Sequence, residues 1–163
     1  MKIALAQINT TVGALEANTQ HIIECLQTAK AQHADLILFP ELSITGYPPL
    51  DLLDRPRFIE KNLHCLAEIA THCVGISAIV GYVARNESPQ GKGLYNAAAV
   101  LSEGKHISTH YKSLLPTYDV FDEERYFEPA PEVHTVYLKG HRIGVSICED
   151  VWNDSDFWTR QRY

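Results

Sequence analysis

The stretch D-L-I-L-F-P-E, residues 35–41, decides the fold. A short, almost continuous apolar run stopped by Pro40 is the pattern of a strand buried on both faces, and such strands belong to sheets flanked by helices. Upstream, Lys2–Ile8 reads as a first strand, bounded by the turn-rich N-T-T-V-G of residues 9–13. Between the two, Leu15, Ile22, Cys25, Leu26 and Ala29 recur at helical spacing, which predicts a helix over Leu15–His33. Downstream, Phe58, Ile59, Leu63, Leu66 and Ile69 place a second helix over Arg57–His72, and Ile76–Val83 reads as another buried strand. The result is β-α-β-α-β, hence right-handed crossovers and a largely parallel arrangement.

The second half changes character. Tyr95–Ser102, Lys105–Tyr111, Val133–Leu138 and Arg142–Cys148 read as strands, with Glu103-Gly104 and Lys139-Gly140 as hairpin turns. The expected sheets there are mixed. Gly and Pro gather at Pro48-Pro49, Pro89–Gly93 and Pro129–Pro131 as loops, and no repeat or linker divides the 163 residues, so one α/β domain is expected.

Composition narrows the function. Hydrophobic residues make up 45% and charged residues 21%, which excludes a disordered chain. Fourteen basic against 20 acidic residues give a net charge of −6, which argues against nucleic acid or an anionic membrane as partner. No apolar run is long enough to predict a membrane span, and no leader-like segment opens the sequence. A cytoplasmic setting with reduced thiols is expected.

Three polar residues stand where buried strands deliver side chains to a common rim: Glu41 after D-L-I-L-F-P, Lys112 after the strand ending at Tyr111, and Cys148 at the end of I-G-V-S-I-C. Each alone has an ordinary reading, as a solvated loop carboxylate, a surface charge or a small core hydrophobe. Together they can divide the work of acyl transfer. A carboxylate takes the thiol proton, and an ammonium stabilises thiolate and oxyanion charge.

The other candidates are weaker. Cys25, Cys65 and Cys73 fall on predicted helices or their ends and read as core thiols, while His21/Cys25, His64 and His72 read as helix-face residues. No metal-ligand pattern such as HExxH is present, and neither GxxxxGK[ST], GxGxxG nor SGGxDS occurs. No metal and no cofactor are expected in this domain.

Three segments carry a family resemblance. F-P-E-L-S-I-T-G-Y-P-P at 39–49, H-Y-K-S-L-L-P-T-Y-D-V-F-D-E-E-R-Y-F at 110–127 and G-V-S-I-C-E-D-V-W at 144–152 resemble the nitrilase (carbon–nitrogen hydrolase) superfamily. In detail they are similar to the N-terminal glutaminase domain of glutamine-dependent NAD synthetases. The resemblance implies an α-β-β-α sandwich with mixed sheets, longer than this chain. Residues 1–163 would then be the front portion of a glutaminase domain, truncated after the nucleophile strand, with the ATP-dependent synthetase domain absent. Exposed sheet edges, uncovered apolar surface and homo-oligomerisation through them are expected.

The resemblance also implies a Glu41, Lys112, Cys148 triad hydrolysing glutamine through a γ-glutamyl thioester. Ammonia would pass to a synthetase domain that uses ATP and Mg to amidate nicotinic acid adenine dinucleotide. It further implies that Tyr118 contacts the glutamine and that the backbone N–H of Glu149 joins Lys112 at the oxyanion. Glu123 is the candidate second carboxylate orienting Lys112, with Asp122 and Glu124 as adjacent alternatives. Trp152 and Phe157 read as packing or interface groups. Two rival functions remain: a stand-alone hydrolase of ω-amides, carbamyl compounds or nitriles, and a catalytically silent scaffold or assembly fragment.

Overall fold

The computed structural model describes residues 1–152. Phe157 therefore lies outside the described residues. Five strands form one sheet in the order β1 (Ile3–Leu5), β2 (Leu36–Leu38), β3 (Ser77–Arg85), β4 (Leu94–Ser102) and β5 (Lys105–Tyr111). The first three run parallel, and β3–β4–β5 continue antiparallel, which makes the sheet mixed. The helices α1 (Leu15–Ala31) and α2 (Pro56–His72) supply the two crossovers. Proline suits the first turn of α2, where its missing N–H would have had no helical partner.

Strand alternation gives the sheet two faces. On one, Ile37, Val80, Ala97, Ala99 and Leu101 pack against Ile22, Leu26, Leu66 and Ile69 of the helices. On the other, Leu36, Ile79, Ala98 and Val100 meet Val136 and Leu138 of a separate hairpin, β6 (Thr135–Leu138) and β7 (His141–Gly144). The described residues thus stack as helix layer, sheet and second sheet. β1 lies at the end of the strand order, and its Ile3 and Leu5 remain 49% and 68% exposed, an uncovered apolar edge.

Both turn expectations hold for a physical reason. Glu103 and Gly104, and likewise Lys139 and Gly140, all have positive φ, the requirement of a tight hairpin whose twist matches its strands. The strand ends are shorter than expected. Lys2–Ile8 pairs only over Ile3–Leu5, and Asp35–Phe39 only over Leu36–Leu38. The largest correction concerns Arg142–Cys148. That strand stops at Gly144, and Cys148 opens a 3-10 turn, Cys148–Val151, with φ at +49°. The cause is Asp150, whose Oδ2 accepts the Ile147 N–H at 3.0 Å, so a side chain rather than a neighbouring strand takes that donor.

Candidate active site

Glu41 and Lys112 follow β2 and β5, which run in the same direction, so both emerge at one edge of the sheet. Glu41 begins a turn that crosses β3 at Gly81. A Cβ there would stand 2.5 Å from the Pro40 carbonyl oxygen and inside contact distance of the Leu42 backbone. Glycine in a strand interior marks such an approach of a second backbone. The Gly81 carbonyl also accepts the Ile44 N–H and the Ser43 hydroxyl, both at 3.2 Å. Beneath the turn, Leu42, Val83, Leu115 and Phe127 form a small apolar cluster that supports the Glu41, Lys112 and Glu123 segments together.

Lys112 is fully buried, and its ammonium has three protons to place. They meet Glu41 Oε1 at 2.7 Å, Glu123 Oε1 at 2.8 Å and Glu123 Oε2 at 3.0 Å. Burial works against the charged lysine, but the two carboxylates outweigh it and hold the ammonium above its ordinary pKa. Burial first, and then the charge of Glu41, push the Glu123 carboxyl up despite Lys112. Tyr47 donates to Glu123 Oε1 at 2.8 Å, and burial followed by that carboxylate raises its phenol. Of the three adjacent acids, Glu123 is the one turned inward; Asp122 and Glu124 are exposed.

Cys148 is an exposed residue whose thiol lies against Glu41. Burial and the Glu41 charge raise its thiol above the usual value, and Lys112 offsets only part of that shift. The thiol therefore keeps its proton at neutral pH until a base accepts it. Glu41, Gly81 and Cys148 line a cavity of about 360 Å³ between the two sheets, with Ile79, Ala98 and Ile147 among its apolar walls. Tyr118 is exposed, edge-on to Phe121 at 5.5 Å, with its phenol raised by desolvation and then by the nearby Glu149 carboxylate. Glu149 is buried and Trp152 is exposed. The remaining cysteines keep to the helical side, with Cys65 and Cys73 buried and Cys25 half-buried.

Two further residues shape this centre and did not stand out in the sequence. Asp150 ties its halves together: Oδ1 accepts the N–H groups of Ser113 and Leu114 at 3.0 and 2.9 Å, while Oδ2 holds Ile147. Asn96 on β4 donates to Glu41 Oε1 at 2.7 Å and to Glu123 Oε2 at 3.2 Å. Neither gave a signal, since Asn96 sits in a run of apolar residues and Asp150 in an acidic pair. Among the described residues, no group of three or more His, Cys, Asp or Glu could hold a metal ion, and no helix is long and apolar enough to cross a membrane.

A thiol, a carboxylate and a buried ammonium thus gather beside a cavity on a mixed α/β sheet of the nitrilase-like kind. The chain belongs to the carbon–nitrogen hydrolase family, whose model matches residues 2–158. It is 43% identical to the glutamine-dependent NAD(+) synthetase of Synechocystis sp., covering 99% of this chain and 30% of that protein. It is 47% identical to the enzyme of that name from Xanthomonas campestris, covering 93% and 27%. The solved structure of glutamine-dependent NAD+ synthetase from Acinetobacter baumannii, in complex with adenosine diphosphate, superposes with a TM-score of 0.85 at 40% identity, covering 98% of this chain and 29% of that one. An amidase of the nitrilase superfamily from Nesterenkonia shares the fold, with a TM-score of 0.76 at 24% identity over 93% of this chain and 57% of its own. The chain thus spans under a third of the length of the synthetases it matches.

Proposed function

We propose that residues 1–163 are the front portion of a glutamine amidohydrolase domain that releases ammonia for the amidation of nicotinic acid adenine dinucleotide. The observation that carries this reading is the single buried network of Lys112, Glu41 and Glu123, with the Cys148 thiol against Glu41. Three of the named relatives are glutamine-dependent NAD synthetases, which supports glutamine over other amides. The ATP- and Mg-dependent step is assigned to a synthetase domain of a longer protein, in a cytoplasmic setting.

In this mechanism Glu41 accepts the Sγ proton as the thiolate attacks the glutamine side-chain carbonyl. Charge then develops on the carbonyl oxygen, to be held by the Glu149 backbone N–H and the field of Lys112. All three Lys112 protons already face carboxylates. The lysine therefore acts chiefly as a fixed positive charge, and Glu123 and Tyr47 hold it in place. Glu41 returns its proton to the departing nitrogen, the C–N bond breaks and ammonia leaves a γ-glutamyl thioester. Water then attacks the thioester, giving its proton to Glu41, and glutamate and the free thiol are released. Tyr118, beside Glu149 and near Cys148, is assigned a substrate contact. The exposed Ile3 and Leu5 support self-association of the chain.

The test is ammonia release from glutamine by this chain and by the full protein that contains it, with and without ATP and nicotinic acid adenine dinucleotide. Cys148→Ala is expected to abolish release while the fold, followed by circular dichroism, persists. Undiminished release by a folded Cys148→Ala protein overturns the assignment. Hydrolysis of other amides with no response to glutamine favours the stand-alone hydrolase instead.

A further inference from the structure

Asn96 has an unusual bonding pattern. Its side chain is 1% exposed, and its Nδ2 reaches both Glu41 Oε1 and Glu123 Oε2. Its backbone carbonyl accepts the Lys112 N–H at 2.9 Å. One residue therefore touches all three charged members of the network. The orientation of the amide is forced, because both neighbours are carboxylates and only its nitrogen can donate to them. The cost is visible: buried Asn96 Oδ1 has no hydrogen-bond partner among the described residues. A buried orphan acceptor is destabilising, so the pattern is one that folding alone would not favour.

The donor set on Glu41 is equally one-sided. Oε1 receives both Lys112 Nζ and Asn96 Nδ2, each at 2.7 Å. Those donors leave Oε2 as the oxygen available to a thiol proton. We propose that Asn96 is a positioning residue that turns the Glu41 carboxylate so that its second oxygen serves Cys148. The inference rests on the acyl-transfer reading of Glu41 and Cys148, and it adds a residue that acts through Glu41 without touching substrate. Besides Asn96, the groups facing this pair are Lys112, Glu123 and Tyr47, together with Tyr118 and Glu149.

The test needs no substrate. Iodoacetamide alkylation of Cys148 is followed against pH, with Cys148→Ala as the control for the other thiols. The acid limb of that profile reports loss of the single-proton state of the Cys148–Glu41 pair. Removing a donor from the Cys148–Glu41 pair favours its doubly protonated state, so in Asn96→Leu the acid limb is expected to move up by about one pH unit. In the isosteric Asn96→Asp, which adds a third acid, it moves at least as far. A folded variant of either kind with an unshifted limb overturns the inference, even if overall reactivity falls, because lost packing alone lowers a rate without moving its pH dependence. Should both variants fail to fold, the unaltered protein decides: the side-chain amide signals of Asn96, in selectively 15N-asparagine-labelled protein, should titrate with the midpoint of the alkylation limb. Signals that stay flat through that pH overturn the proposal. Fast alkylation that survives in Cys148→Ala instead removes the acyl-transfer reading itself.

Discussion

The two faces of the five-stranded sheet use the same strands for different ends. Toward α1 and α2, alternate residues such as Ile37, Val80 and Leu101 are sealed from water. Toward the β6–β7 hairpin, the intervening residues Leu36, Ile79 and Ala98 are buried as well, but they also wall a cavity that Glu41 and Cys148 line. The helical face packs Val80, Ala99 and Leu101 against α1 and α2 and holds the strands in place. The other retains space, and space is what a substrate needs. The contrast predicts that changes on the two faces separate stability from reactivity.

The strongest break should come from Glu41→Gln. Losing the base is expected to lower amide turnover about 10²–10⁴-fold. The Glu41 charge raises the Cys148 thiol, so its removal should lower the thiol pKa, and ultraviolet thiolate absorbance should appear at lower pH than in the unaltered chain. Absorbance that shifts upward would show that Glu41 does not face the thiol. Gly81→Ala, in the strand shared by both faces, comes next. Its methyl group cannot fit against Pro40 and Leu42 without displacing the Glu41 turn. A misplacement of that kind costs on the order of 10²-fold in turnover, with Cys148 alkylation slowed in parallel.

Ile69→Ala acts on the helical face, where Ile69 is fully buried. It should cost about 2–5 kcal/mol in denaturant unfolding, yet leave the pH profile of Cys148 alkylation unchanged in the folded protein. A shifted profile would mean that the two faces are not independent. The smallest effect belongs to Ile3→Ser on the half-exposed edge strand, expected to stay within about 0.5 kcal/mol of the unaltered chain.

The same contrast explains what could be read from residue order. The helices and buried strands were legible because burial against a continuous layer imposes a period, 3.6 for α1 and α2 and an unbroken apolar run for β3. Glu103-Gly104 and Lys139-Gly140 were legible because positive φ at two successive residues restricts what can stand there. Glu41 and Lys112 were expected at a common rim because each follows a buried strand, but Glu123 joined them only through family resemblance, since it lies 82 positions from Glu41 and periodicity is silent about contacts at that range. Cys148 was misplaced on a strand because its left-handed backbone is held by a side chain three residues from the peptide it caps, and cysteine carries no preference that announces such a turn. Gly81 and Asn96 were invisible for a related reason. Each matters through one neighbour across the sheet, the Glu41 turn for the first and two carboxylates for the second.

The Asp150 carboxylate has a consequence for motion. With two amides of the Lys112 loop and one from the Cys148 turn on the same pair of oxygens, the two segments form a single cooperative unit of opening. Neither can swing aside to admit a ligand without dragging the other. Fluctuations that widen the cavity are then expected to move the Lys112 loop and the Cys148 turn together.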